Sequence, residues 1–175
     1  MKKIISKIYS FTLVLSLFEY FIITKPSNAF VPIINEPNQE ELKSVSIQIA
    51  RTAIQLIQFG QHDEAIKLLK LSVKLNPIET ELWVSLAEAQ IRSNRKQNAL
   101  RSLNKAIELE PKKDSLYLTK ASIYNELNNH KKAKLFIEKS LKINKNNERG
   151  YFQLGNTEIM LNNYKSAIVA FQKSS

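Results

Sequence analysis

Apolar and polar residues follow a helical rather than a strand-like pattern from residue 39 to the end of the chain. Aromatic and β-branched residues do not alternate with polar ones over any long run, which argues against strands. Asn38 followed by Glu41 has the spacing of a helix-capping box, so the first helix is expected to begin near Gln39. The pattern predicts helices at about 39–58, 62–75, 79–92, 96–109, 113–127, 130–143, 147–161 and 164–175.

The pattern recurs at a constant interval, which is the distance along the chain from Ala65 to Ala99. Four alanines stand at this interval, and each precedes a large apolar residue by four positions: Ala65 and Leu69, Ala99 and Leu103, Ala133 and Ile137, Ala167 and Phe171. Two more columns hold aromatic and small residues, namely Trp83, Tyr117 and Tyr151, and Ala53, Ala87, Ala121 and Gly155. Pro77 and Pro111 are separated by the same interval. Such a period predicts stacked copies of one small structural unit.

This pattern resembles the tetratricopeptide repeat family, whose units carry an aromatic residue, Leu and a small residue, and later Ala, a large apolar residue and a closing Pro. The second unit matches best, through Trp83, Leu86, Ala87, Ala99, Leu103, Ala106 and Pro111. The first unit departs from it at Ile49 and Thr52, and the third ends on Lys145 instead of Pro. The resemblance implies an all-α fold, a right-handed superhelical solenoid of antiparallel helix pairs. About four repeats are expected, at 46–79, 80–113, 114–147 and 148–175, the last one incomplete.

The recurring residues have physical roles in such helix pairs. Small side chains at Ala87 and Ala99 let two helix backbones approach closely, and Pro after a second helix ends it. The turns are expected to contain residues that tolerate a left-handed backbone, namely Gly60, Asn94, Asn128 and Asn162. The solenoid is therefore predicted over residues 39–175.

Residues 1–29 have the layout of a secretory signal peptide. Lys2, Lys3 and Lys7 make a positive start, an apolar run follows, and Ala29 ends a small-residue cleavage site. An uncleaved membrane anchor is the competing interpretation, but a spanning helix needs about 20 apolar residues, and this run is shorter. Residues 30–38 are expected to form an extended lead-in. The predicted location is the periplasm or thylakoid lumen, with membrane association if the signal is not cleaved.

The sequence contains few residues arranged for catalysis or metal binding. The chain has no cysteine, which excludes thiol catalysis and disulfides, and it has no metalloprotease, phosphate-loop or nucleophile-elbow motif. His62 and His130 are two repeat lengths apart, which indicates a repeat position rather than a metal or catalytic role. We therefore expect no cofactor, no metal and no enzymatic activity.

The resemblance implies a concave groove lined by the first helix of each pair, suited to a partner helix or an extended peptide. By that analogy the partner-binding residues are Ile54, Ile57, Val84, Glu88, Ile91, Arg92, Leu118, Asn125, Arg149, Phe152, Asn156 and Ile159. Family members that bind acidic chaperone tails use Lys and Arg there, whereas this chain has an apolar stripe of Ala50, Val84, Leu118 and Phe152. A mixed, partly apolar groove is therefore expected. The alternative is that part of the stripe only packs against neighbouring helices, or that a further segment closes the groove.

The formal net charge is +10, and a lysine cluster on the second helix of the third unit contributes to it: Lys131, Lys132, Lys134, Lys139, Lys142 and Lys145. Because helical spacing distributes these residues around the helix, a solvated face is the preferred interpretation, and contact with anionic headgroups is the alternative. No aromatic platform is expected beside them, and nucleic acid is not an expected partner.

The sequence stops two turns into its last predicted helix, with the apolar residues Ile168, Val169 and Phe171 and no capping helix after them. Either the sequence is a fragment, or another chain covers that end, for example through self-association. The leading functional hypothesis is a non-catalytic, exported scaffold for protein–protein interaction that assists assembly of a membrane or envelope complex. The alternatives are a basic binder of anionic membrane or nucleic acid, and a repeat segment of a larger protein.

Overall fold

A computed structural model describes residues 38–174. The predicted signal peptide at 1–29 and most of the predicted lead-in at 30–38 lie outside the described residues. Within 38–174 the chain is helical and contains no strand, and none of its helices is long and apolar enough to cross a membrane. The helices are α1 (Gln39–Gln58), α2 (His62–Leu75), α3 (Thr80–Arg92), α4 (Lys96–Leu109), α5 (Asp114–Glu126), α6 (His130–Ile143), α7 (Glu148–Met160) and α8 (Tyr164–Lys173).

The predicted capping box starts α1. The backbone N–H of Glu41 donates to Asn38 Oδ1 at 2.9 Å, and the Asn38 N–H donates to Glu41 Oε2 at 3.2 Å. Two of the helix's unsatisfied N-terminal donors are thereby paired. The predicted helix bounds are confirmed within two positions, and the largest difference is at the C-terminus, where α8 ends at Lys173.

Short turns join the helices into four pairs, α1–α2, α3–α4, α5–α6 and α7–α8, and each pair packs together. The turn inside every pair uses the residue that the repeat period predicts, in the left-handed backbone region. The φ angles are +74° at Gly60, +56° at Asn94, +55° at Asn128 and +61° at Asn162. Glycine and asparagine adopt this region at the lowest steric cost, so these positions fix where each helix pair folds back.

The alanine column forms the centre of each pair. Ala65, Ala99 and Ala133 are fully buried, and Ala167 is 2% exposed. The large residues four positions later fill the space beside them, with Leu69, Leu103 and Ile137 fully buried. Because these columns recur in every unit, the buried residues form consecutive clusters along an all-α solenoid of helix pairs.

The aromatic column has a second role that the sequence pattern did not predict. Trp83 Nε1 donates a hydrogen bond to the carbonyl oxygen of Pro77 at 2.8 Å, and Tyr117 Oη donates to that of Pro111 at 2.9 Å. Trp83 and Tyr117 therefore each hold the connection that leads into their own unit.

The fourth unit packs differently because its small residue is glycine. A Cβ atom added at Gly155 would lie 2.5–2.7 Å from three atoms of the Phe171 ring. The other units combine Ala with Leu or Ile at these two positions. The larger Phe171 ring thus occupies the space that an alanine methyl group fills elsewhere, and it also meets Phe152 edge to face at 5.8 Å.

Candidate protein-binding groove

The predicted groove lies on the first helices of the four pairs, α1, α3, α5 and α7. Two neighbouring pairs of these helices, α1 with α3 and α5 with α7, are in contact. The predicted residues that are exposed are Ile54, Glu88, Arg92, Arg149, Phe152, Asn156 and Ile159. Val84, Ile91 and Asn125 are half-buried.

Ile57 and Leu118 are buried, with 6% and 3% of their surface exposed. Their side chains belong to the core clusters, and the next unit supplies part of each cluster, through Leu86 for Ile57 and through Tyr151 and Leu154 for Leu118. These two residues therefore pack between units and do not contribute to an accessible wall. The partner-binding role of the remaining residues stays a prediction.

The predicted apolar stripe is consequently discontinuous. Ala50 is 5% exposed and Val84 is half-buried, whereas Phe152 is 54% exposed. The exposed apolar surface of the groove is concentrated on α7, where Phe152 is followed at helical spacing by Ile159 and Met160, which are 41% and 62% exposed. This α7 patch, defined by Phe152, Ile159 and Met160, is the largest cluster of exposed apolar side chains among the predicted first helices, and Ile54 on α1 is a separate exposed apolar residue.

A hydrogen-bonded polar network joins α5 to α7 beside this patch. Asn125 Nδ2 donates to Thr157 Oγ1 at 2.8 Å, and Gln153 Nε2 donates to Ser122 Oγ at 3.1 Å. His130 Nδ1 lies 3.0 Å from Asn125 Oδ1, so this histidine is part of the same network. The buried Gln153 Oε1 has no hydrogen-bond partner in the described structure.

Sequence reasoning named Asn125 but missed Gln153 and Thr157. The available signal was two polar residues four positions apart on α7, which places them on one helix face.

Another polar feature of the groove is an exposed ion pair between Arg92 and Glu88 at 3.0 Å, one helical turn apart on α3. Such an exposed pair contributes little stability, so its charges remain available to a partner.

A buried carboxylate links the third and fourth units. Glu158 is 3% exposed, and its carboxylate accepts hydrogen bonds from Lys134 Nζ at 2.7 Å and from Asn163 Nδ2 at 2.8 Å. Burial raises the pKa of Glu158, but the hydrogen bonds from Lys134 and Asn163 outweigh it, so that the pKa is lowered. The hydrogen bond to Glu158 also raises the pKa of Lys134. Glu158 also lines an open pocket of about 370 Å³ between α7 and α8.

The lysine cluster differs from the sequence prediction in one respect. Tyr124 and Phe136 form a stacked aromatic pair, with ring centroids 5.4 Å apart and ring planes within 2°. Lys132 and Lys139 of the cluster lie over these rings. The expectation that no aromatic platform accompanies the lysines is therefore wrong. The expectation overlooked Phe136, which lies on α6 among these lysines, and it could not include Tyr124, which comes from the neighbouring helix α5.

The two histidines are the first residues of α2 and α6, and among residues 38–174 no group of three His, Cys, Asp or Glu side chains is placed to hold a metal ion. His62 Nδ1 is buried without a hydrogen-bond partner in this part of the structure. Within the described residues, neither histidine forms a hydrogen bond with a nucleophilic or acidic side chain.

Comparison with known proteins identifies two family models along the chain. The tetratricopeptide repeat model matches residues 114–147, which is the third predicted unit. A model described as a bacterial transcriptional activator domain matches residues 31–110. A comparison with curated proteins found no match.

Solved structures share the fold. A crystal structure of MamA matches with a TM-score of 0.69 at 23% identity, covering 78% of this chain and 84% of that protein. MamA from Desulfovibrio magneticus RS-1 matches with a TM-score of 0.66 at 17% identity, covering 78% and 73%. A tetratricopeptide repeat protein from Parabacteroides merdae matches with a TM-score of 0.68 at 25% identity, covering 73% of this chain and 51% of that protein.

These similarities agree with the internal evidence. The matched repeat model coincides with one predicted unit, and the same alanine, aromatic and turn columns recur in the units beside it. The fold supports protein–protein interaction in general, and no enzymatic family is indicated. Residues 114–147 thus match the tetratricopeptide repeat family model, and the chain shares its fold with a solved tetratricopeptide repeat protein.

Proposed function

We propose that this protein is a non-catalytic, exported scaffold that binds the apolar face of a partner helix or an extended apolar segment in its groove. The observation that carries the proposal is the α7 patch. Phe152, Ile159 and Met160 expose 54%, 41% and 62% of their surface on one helix face. Single exposed apolar residues are ordinary, but a cluster bordered by polar groups is typical of an interaction site.

The polar network beside the patch supports an orienting role. Because Asn125 and Ser122 are held by Thr157 and Gln153, their positions are fixed before a partner arrives. Apolar contact would supply affinity, and the fixed polar groups would select the register of the partner.

The basic, apolar and small-residue zones of residues 1–29 support export, and assembly of a membrane or envelope complex is the role that fits an exported scaffold. Mass spectrometry of the purified protein tests this directly. Cleavage after Ala29 predicts Phe30 as the first residue of the mature chain. Recovery of the intact Met1 terminus in a membrane fraction would instead support an uncleaved anchor.

The groove is tested by affinity capture from the exported fraction of the source cells, with three forms of the protein compared. Phe152→Asp places a charge in the α7 patch. Ile168→Asp is the matched control, because Ile168 is similarly exposed at 59% but lies on α8, outside the groove. A partner retained by wild type and Ile168→Asp, and lost by Phe152→Asp, supports the proposal. Identical capture by all three forms would refute it, provided that thermal melting shows each is folded.

A further inference from the structure

Lys120 occupies a repeat position that holds leucine in the units on either side of it. It lies one repeat length after Leu86 and one repeat length before Leu154, and Leu86 is 3% exposed in the core. Lys120 is half-buried, and its ammonium group donates to Asn104 Oδ1 at 2.5 Å. Partial burial of a charged group is unfavourable. Departures from a local sequence rule are expected at functional positions, which makes Lys120 a candidate binding residue.

Three ammonium groups converge on the aromatic pair of Tyr124 and Phe136. Lys120 Nζ is 4.3 Å and Lys139 Nζ 5.2 Å from the Phe136 ring centroid, and Lys132 Nζ is 5.4 Å from that of Tyr124. Attraction to the rings holds the flexible lysine side chains in place. Burial lowers the pKa of Lys120, and repulsion from Lys139 lowers it further. An anion placed between these groups would relieve that repulsion.

No carboxylate of the described residues neutralises these three lysines. The nearby acidic side chains are already paired elsewhere: Glu138 and Glu158 with Lys134, and Glu126 with Lys96. The partner of Lys120 is a neutral amide, which accepts a hydrogen bond but supplies no negative charge. The cluster therefore retains a concentrated positive charge beside an apolar surface.

We propose that Lys120, Lys132 and Lys139, arranged around Tyr124 and Phe136, form a second binding site that takes the carboxylates of an acidic peptide segment. The inference rests on the proposed scaffold function, because it specifies the chemistry of a protein partner. The carboxylate side chains contact the ammonium groups, and their methylene groups lie against the ring edges.

The geometry favours an acidic peptide over other anions. The two rings are stacked on each other with nearly parallel planes and lysines over them, so they offer no open slot for a nucleic-acid base. The three side chains come from α5 and α6 and provide single-point donors without an arginine fork, whereas tight phosphate sites commonly use arginine forks or backbone N–H groups. The carboxylates along one acidic peptide are separated from each other, as the three ammonium groups are, so that each carboxylate can contact a different lysine.

The decisive variant is Lys120→Leu, because it removes one charge of the site and restores the residue of the leucine column. Folding is expected to be retained or improved. Lys142→Gln is the control, since Lys142 is exposed on the same helix α6 but contributes no contact to the aromatic pair. Lys139→Gln provides a second site variant at an exposed position in case the first alters folding.

Binding is measured by calorimetry with the purified protein and a synthetic peptide containing four consecutive glutamates, at low and moderate salt. Wild type and Lys142→Gln should bind it equally, with affinity falling as salt increases. Lys120→Leu and Lys139→Gln should each weaken binding about tenfold, as expected for loss of one charge-assisted contact. The corresponding tetraglutamine peptide should not bind.

Three results would overturn the proposal. The first is absence of glutamate-peptide binding to folded wild type at low salt. The second is an equal loss in Lys120→Leu and Lys142→Gln, which would indicate attraction to net charge alone. The third is binding of inorganic phosphate or anionic phospholipid vesicles, but not the peptide, with the same lysine dependence. If groove capture persists while peptide binding fails, only this second site is rejected. If both fail, the scaffold function is rejected.

Discussion

The contact between Gly155 and Phe171 provides a test of how the repeat columns specify packing. In an exposed helix interior, replacing Gly by Ala stabilises by about 1 kcal/mol because Gly loses more backbone entropy on folding. At Gly155, however, the new Cβ would lie 2.5–2.7 Å from the Phe171 ring. Overpacking of this kind costs about 1–3 kcal/mol. We therefore expect Gly155→Ala to lower the free energy of unfolding by up to about 2 kcal/mol.

The effect of Gly155→Ala on stability should change sign when a smaller side chain replaces the Phe171 ring. In the second unit, Ala87 is 1% exposed and Leu103 is fully buried, so alanine and leucine are compatible at these two positions. In a Phe171→Leu background, Gly155→Ala should therefore stabilise the protein by about 0.5–1 kcal/mol. Phe171→Leu alone should destabilise by about 1–2 kcal/mol, through lost ring volume and the lost edge contact with Phe152.

The measurement is a double-mutant cycle by urea unfolding, followed by circular dichroism at room temperature. Residues in contact couple by about 0.5–3 kcal/mol, and here the coupling should favour the double variant. Because single units of a repeat array can open locally, hydrogen exchange of α8 amides should show the same order of stabilities. If Gly155→Ala stabilises the protein equally in both backgrounds, the explanation of the fourth unit's packing is refuted.

Three further perturbations test the other contacts. Ala99→Leu should overpack the α3–α4 pair and cost about 1–3 kcal/mol, which thermal melting would detect; an unchanged melting temperature would contradict the packing. Trp83→Phe removes the hydrogen bond to Pro77 and should cost about 0.5–1.5 kcal/mol in urea unfolding, whereas equal stability would show that the bond has no net effect. Glu158→Gln should cost about 1–3 kcal/mol at neutral pH. Because the folded-state pKa of Glu158 is lowered and that of Lys134 is raised, the contribution of this pair should be present above the unfolded-state pKa of the glutamate and below that of the lysine. It should disappear as the pH falls through the folded-state pKa of Glu158 or rises through that of Lys134. A Glu158→Gln cost that is the same in strong acid as at neutral pH would contradict this assignment.

The sequence was sufficient to predict the helices, their pairing and their turns, because each depends on local chemistry that recurs. Asn94, for example, must accept a positive φ in its turn, and Ala99 must be small where two backbones meet. These requirements come from within one helix pair. The repeat period therefore predicted them even in the first unit, where the family pattern is weakest.

The groove was predicted less completely, because exposure depends on how successive units stack. Val84, Leu118 and Phe152 share one repeat position, yet Val84 is half-buried, Leu118 is 3% exposed and Phe152 is 54% exposed. The difference comes from Tyr151 and Leu154, which pack over the cluster containing Leu118. A one-dimensional pattern identifies the helix face, but the packing angle between units decides which side chains remain accessible.

Departures from the repeat are therefore the most informative positions for function. A residue that agrees with its column is explained by packing, as Leu86 is, and gives no information about a ligand. Lys120 occupies the same column but cannot be explained by apolar packing, and the surrounding rings and lysines hold its charge in a half-buried position. Because the leucine that would satisfy the fold stands in the neighbouring units, Lys120→Leu separates the requirements of folding from those of binding at a single position.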